Sequence, residues 1–296
     1  DEAGYRYQAS ADISDFPLSV ITSSIELPSG LDPGGRIDGK VIADIDSSGI
    51  SLSGEVLPKE VRMSLSPYGV GLALGEVPIL FKDMRVLLND MPLYGIDSTR
   101  LLINGFFDIG NMYADITANS AAFKPTALAR NDSLPFYGNL EAGINAMISG
   151  PADSLTIHSD IDVLPVTDIT YIIDDKNSAN AKASGTLAMD ITPEGDIRAN
   201  GIIGIIGGEI RYSPQYYPLE PFQISKDSYI RFDGDITNPI LGITATQPAK
   251  ATVKTSGVSR QVDFTVGLIL FQKQKYRSGV RYKTPLPIYI KAPAIA

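Results

Sequence analysis

The chain has 296 residues, with 34 acidic against 25 basic side chains, one histidine, and neither cysteine nor tryptophan. The lack of cysteine excludes disulfides, thiolate metal sites and thiol nucleophiles, and a single histidine excludes a histidine-rich metal centre. A net charge of −9 argues against a nucleic-acid binder, which normally presents a basic face.

An apolar fraction of 44% is enough to offset chain entropy, so bulk disorder is excluded. Of the acids 25 are Asp and 9 Glu, and there are 35 Ile. Asp favours turns, and β-branched Ile packs well on a pleated surface; with 27 Gly and 20 Pro as punctuation this is the composition of a β-protein. The length fits either two domains or one all-β array. No run of ~18 apolar residues is present to make a transmembrane helix. The start, DEAGYRYQAS, has neither the basic region nor the apolar core of a signal peptide, so the chain is expected to be cytosolic or to lack its targeting segment.

Residues 12–25 carry the best helical pattern, with Asp15 as N-cap, Pro17 in the first turn, and Leu18, Ile21 and Ile25 on one face. Nearly everything after them alternates with period two. Val41, Ala43 and Ile45 alternate with Ile42, Asp44 and Asp46, and Val61, Met63 and Leu65 with Arg62 and Ser64. Val70, Leu72 and Leu74 lead to Val77, Ile79 and Phe81, then to Leu101, Ile103, Phe107 and Ile109, and to Met112, Ala114, Ile116 and Ala118. Leu140, Ala142, Ile144 and Ile148 oppose Glu141, Asn145 and Ser149.

The second half repeats the pattern. Ile157, Ile161 and Val163 face away from His158, Asp160 and Asp162. Leu187, Met189 and Ile191 pass through a turn at residues 192–196 into Ile197, Ala199, Gly201, Ile203 and Ile205. Phe222 and Ile224, Ile230 and Phe232, and Leu241, Ile243 and Ala245 follow, and Val262, Phe264, Val266 and Leu268 form the cleanest strand. The spacing predicts roughly 18 strands of 6–9 residues, pairing as an antiparallel meander. So many strands must close, fold over or split, and each has one apolar face to bury with no large helix to cover it. A propeller or solenoid would need a fixed repeat, which is absent. A sandwich and a sheet folded lengthwise into a trough both fit the periodicity.

Chemical motifs fare poorly. Residues 44–55 match a calcium loop in composition, with Asp44, Asp46, Gly49 and Glu55 in place, but the flanks alternate as strands; the segment reads as a hairpin turning at Ser47-Ser48-Gly49. The glycine run 201–208 lacks a following Lys-Ser/Thr and helix, and Gly207-Gly208 reads as a hairpin turn. His158, Ser159 and Asp160 are consecutive, so on a strand they cannot converge as a triad. No enzymatic signature survives, and no cofactor or metal site is expected. Charge is more informative: residues 264–296 hold six basic side chains and no acid, whereas the first 263 carry 19 basic against 34 acidic. This basic tail suits either an anionic partner or the protection of a terminal strand.

Longer stretches point to a family. Residues 201–214, Gly201-Ile202-Ile203-Gly204-Ile205-Ile206-Gly207-Gly208-Glu209-Ile210-Arg211-Tyr212-Ser213-Pro214, resemble the "GxYxIxGGxYxYSP" stretch of TamB-family proteins, especially those of Bacteroidetes. Phe222 through Asp235 resembles the family's "F-x-I-x-x-G-S-x-I-x-F-x-G" segment, with Asp227 where the family prefers glycine. Asn238-Pro239-Ile240-Leu241-Gly242-Ile243-Thr244-Ala245 is similar to the "NPxLxIxA" continuation, and Arg260–Val266 to the strand that follows. Phe16-Pro17-Leu18 and Gly35–Gly39 resemble the entry to this region. The resemblance covers most of residues 12–270; residues 271–296 depart from the family terminus.

The resemblance implies an AsmA-like bridge protein. Its expected fold is all-β: a long antiparallel sheet curled lengthwise into an apolar-lined trough, the β-taco, with one short N-terminal helix. The expected organisation is a continuous TamB-like segment over residues 1–270 and a basic tail or terminal strands over residues 271–296. The implied function is non-enzymatic: a periplasm-spanning conduit moving phospholipid between inner and outer membranes and supporting outer-membrane biogenesis. The implied partners are phospholipid acyl chains and a BamA-like outer-membrane protein of the TamA type, with an inner-membrane anchor in a missing N-terminal part. On this reading the lining comprises Ile203, Ile205, Ile210, Phe222, Ile224, Phe232, Ile243, Phe264, Val266 and Leu268. At ~4.8 Å per strand, ~18 strands give a groove of roughly 85 Å. An assembly factor that binds outer-membrane β-barrel proteins or their insertase through an edge strand is the alternative, and a β-sandwich adhesin a third.

Overall fold

A computed structural model describes residues 6–22, 31–65, 70–130, 134–213, 220–255, 258–271 and 289–291. The protein is all-β, its strands hydrogen-bonded antiparallel to their neighbours in one sheet. Nearest-neighbour contacts divide the chain into two compact units. The first comprises residues 1–134, 139–162 and 188–198, and the second residues 135–138, 163–187 and 199–296.

The first unit opens with β1 (Arg6–Pro17), a single-turn helix α1 (Leu18–Thr22), β2 (Leu31–Asp46) and β3 (Gly49–Leu65). The expected helix over 12–25 is therefore mostly strand. Residues 6–13 pair with Asp46 down to Gly39 of β2, a ladder that satisfies backbone groups a short isolated helix would leave open. The register then shifts between Ile13 and Phe16, and Asp15, the expected N-cap, takes a left-handed φ of 51° at this irregularity. Asp15 bonds to Arg36, so its charge is used across the strand pair. Ile25 lies outside the described residues.

β2 and β3 form the expected hairpin. Asp46 faces Gly49, and the Asp46 carboxylate accepts from the Ser48 amide at 2.7 Å, closing the two-residue turn. The calcium-loop composition is thus spent on a turn flanked by strands. Both arms run well beyond the 6–9 residues expected, 16 in β2 and 17 in β3, because glycines and prolines read as breakers lie within the ladder. Gly39 and Gly54 are examples: a Cβ on either would meet backbone oxygen of the opposite strand at 2.2 or 2.1 Å.

Shorter strands follow: β4 (Val70–Leu74), β5 (Ile79–Lys82), β6 (Arg85–Tyr94) and β7 (Arg100–Asp108), then the long β8 (Tyr113–Leu128). Their order is not a simple meander, because β3 pairs with both β4 and β5, and β4 pairs with β3, β6 and β8. The buried face of this unit gathers Val56, Val61, Met91, Leu93, Ala114, Ala118, Phe123 and Ala142. Ile109, expected on a strand, instead begins the β7–β8 turn. There buried Asp108 accepts from the Asn111 amide at 2.9 Å and from Arg85, which also stacks over Phe106.

β9 (Phe136–Pro151), β10 (Thr156–Ile172), β11 (Ser178–Ile191) and β12 (Ile197–Arg211) each contribute residues to both units. The expected turn at 192–196 joins β11 to β12 and is closed by Thr192 donating to the Asp196 carbonyl at 3.0 Å. Gly207-Gly208, by contrast, is no turn: β12 runs through it. Ala199, Ile203 and Ile205 are buried before it and Ile210 after it, so the buried positions change from odd to even across the two glycines. The second unit is completed by β13 (Phe222–Ile224), β14 (Tyr229–Asp235), β15 (Ile240–Thr255), β16 (Val258–Phe271) and β17 (Tyr289–Lys291). Apart from β17, the basic tail lies outside the described residues.

Candidate functional site

β15 and β16 of the second unit share an uninterrupted ladder, in which fourteen residue pairs run from Gly242↔Phe271 to Thr255↔Val258. One face of it alternates without a break. On β15 Ile243, Ala245, Gln247, Ala249, Ala251 and Val253 are buried or half-buried, and the residues between them from Thr244 to Lys254 are exposed. On β16 Val262, Phe264, Val266 and Leu268 share that face, and Gln261, Asp263, Thr265 and Ile269 point the other way. The period of two places every other side chain on one side. Antiparallel pairing then sets Leu268 opposite Ala245, Val266 opposite Gln247, Phe264 opposite Ala249 and Val262 opposite Ala251. The row therefore combines small side chains from β15 with large ones from β16.

The short strand β13 adds a third member at one end. Ile224 pairs with Ala245, and Phe222 pairs with Ile210 of β12. Where three strands meet the row is closed: Ile205, Ile210, Phe222, Ile224, Ala245 and Leu268 pack as one buried cluster, with Ala179, Ala181, Tyr212, Ile243 and Val266 against it. Full burial of each large side chain contributes about 1.5–3 kcal/mol, so this end acts as the unit's structural core. Where β13 ends, Phe264, Ala249, Val262 and Ala251 remain half-buried.

Seven of the ten expected lining residues thus meet in or against one cluster: Ile205, Ile210, Phe222, Ile224, Ile243, Val266 and Leu268. Ile203 is buried two residues along β12, and Phe232 on β14 and Phe264 on β16 are half-buried outside the cluster. Pattern reasoning missed Ala245 as a central member, because alanine gives little apolar signal although it is fully buried here. It also missed Gln247, a polar residue in phase with the apolar row that is 6% exposed.

Charged groups are kept off this face between Ile243 and Ala251; exposed Arg260, opposite Val253, marks its end. Lys250 and Asp263, paired across the ladder, approach to 3.7 Å on the opposite side. The titratable group of most interest lies in the first unit: His158 Nδ1 is 2.6 Å from Asp190 Oδ1, and this hydrogen bond raises the histidine's pKa above its ordinary value. Neighbouring Ser159 is buried and donates to the Met189 carbonyl at 3.3 Å, so the two side chains do point apart, as expected of strand neighbours. Among the described residues no group of three or more His, Asp or Glu is placed to hold a metal ion. No helix among them is long and apolar enough to cross a membrane.

The TamB C-terminal domain model matches residues 3–271, which includes every described strand from β1 to β16. The chain belongs to the TamB family. No curated protein and no solved structure shows a significant match. Membership puts the chain in a non-enzymatic family of the bacterial envelope that serves outer-membrane assembly or lipid transport and works with TamA-like partners.

Proposed function

We propose that this TamB domain is a segment of a lipid conduit, in which phospholipid acyl chains lie along the apolar face of the sheet between inner and outer membranes. The observation that carries the reading is the β15–β16 row. From Ile243 to Ala251 and from Val262 to Leu268 it is apolar except for Gln247, closed by protein packing at Ala245 and Leu268, and half-buried at Phe264, Val262, Ala249 and Ala251. Half-buried apolar side chains with a polar opposite face suit a partner that is itself apolar and unshaped. A sheet curled lengthwise into a trough would join such rows into one track. Photo-crosslinkers at Phe264 and Val266 test the reading: they should capture lipid from envelope membranes, and capture of none would reject it.

A second reading, as an adaptor for outer-membrane β-barrel proteins or a BamA-like partner of the TamA type, has one observation in its favour. β17 pairs only with Gly267, Leu268 and Ile269 of β16. Among the described residues the far edge of β16 from Val258 to Val266 has no strand beside it. Such an edge accepts an added strand. Proline at Thr265 should then abolish partner capture while lipid capture at Val266 persists.

A further inference from the structure

Gln247 is the one polar side chain among the β15 residues of the row, from Ile243 to Val253, and its amide oxygen is fully buried with no hydrogen-bond partner among the described residues. Leaving a buried carbonyl unpaired is costly, about 1–3 kcal/mol, so a packed interior normally satisfies or replaces it. Its position is specific. Val266 pairs with it from β16, and the β13–β15 register, carried one residue past Gln223↔Thr246, sets Phe222 on its other side. It therefore sits at the step between the closed three-strand packing at Ala245 and the half-buried two-strand row at Ala249.

We infer that Gln247 is a selectivity point on this face: its amide oxygen accepts a hydrogen bond from a hydroxyl carried by the aliphatic chain that occupies the row. The inference rests on the lipid-binding reading above and goes beyond it by naming a preferred class, hydroxylated over unsubstituted chains. The oxygen needs a donor, and an unsubstituted acyl chain has none. A cationic ammonium does not suit, because the row carries no carboxylate to pair with it. A hydroxyl is the smallest neutral donor, and the alanines at 245 and 249 leave the least side-chain volume on either side of the amide.

The test is displacement of a fluorescent fatty acid from the purified chain by 1-dodecanol and by dodecyl methyl ether, which differ in the donor. In the natural protein the alcohol should displace the probe at a concentration about five-fold lower than the ether, the size of one net hydrogen bond. Gln247→Leu should bring the two to equality with probe binding retained, and should raise the melting temperature by removing the unpaired carbonyl. Gln247→Met, which keeps the side-chain length, gives the same readout if leucine disturbs the fold. Equal displacement in the natural protein, or a preference that survives both substitutions, overturns the role of Gln247 and leaves the conduit reading standing. Failure of the fluorescent chain to bind at all overturns the conduit reading itself.

Discussion

Ala245 of β15 and Leu268 of β16 stand opposite one another in the ladder, 0% and 2% exposed, and the rest of the second unit's core is arranged around that pair. Ile224 adds a third strand on the far side of Ala245. The pair is small against large, so neither residue can change volume without disturbing the other.

Leu268→Ala should accordingly cost about 2–5 kcal/mol, the usual range for emptying a buried leucine site. Ile269→Ala, one residue on and 38% exposed on the opposite face, should cost well under half as much. Urea denaturation of the two variants gives the comparison, and equal losses would show that the two faces are not distinguished as described.

Charge should be discriminated along the same strand. Phe264→Asp puts a carboxylate on the half-buried row and is expected to abolish lipid co-purification, whereas Thr265→Asp, on the exposed side opposite Pro248, should leave it unchanged. Mass spectrometry of bound lipid reads this out, with circular dichroism confirming that both variants fold. Lipid retained in Phe264→Asp would remove this row from the path.

The adjacent glycines Gly207 and Gly208 of β12 should behave differently. Gly208 has φ of 140°, and a Cβ there would lie 2.2 Å from the Asn180 carbonyl oxygen. Gly208→Ala should therefore destabilise by about 1–3 kcal/mol through strain and backbone displacement. At Gly207 a Cβ meets nothing within 4 Å, and Gly207→Ala should be close to neutral. A thermal melt of each variant separates them.

The single histidine makes the His158–Asp190 contact readable by NMR without assignment. Its pKa is raised, first by the hydrogen bond to Asp190 and further by the charges of Asp190 and Asp160. The sign follows from linkage: a raised folded-state pKa means the contribution to stability is complete below the ordinary histidine value of about 6.5 and disappears as pH climbs through the folded value. Asp190→Asn should return the titration towards the ordinary value and flatten the stability profile across that window. An unchanged midpoint would mean that Asp190 does not hold the imidazolium.

Strand faces were legible in the residue order because the period of two is local: Val262, Phe264, Val266 and Leu268 need no partner to declare one side apolar. Strand ends were less so. Gly207-Gly208 reads as a turn, yet Gly208, like Gly39 and Gly54, sits in a ladder where the opposite backbone comes too close for a Cβ, a requirement set by the partner strand. The segment around Asp15 read as a helix start for the same reason: its pairing partner, Ile37-Arg36, lies twenty residues further along.

The sequence by itself determined an all-β protein with alternating faces, no thiol chemistry and a TamB-like order of motifs, since composition, periodicity and motif order are properties of neighbours along the chain. Tertiary structure alone decided which alternating positions close into a core and which stay half-buried, because closure depends on a third strand, β13, arriving beside Ala245 and stopping there. It also decided that a glutamine in phase with that row would be buried, and that His158 would meet an aspartate 32 residues away. Burial and pairing are set by register between distant strands, and register is fixed only when the sheet is assembled.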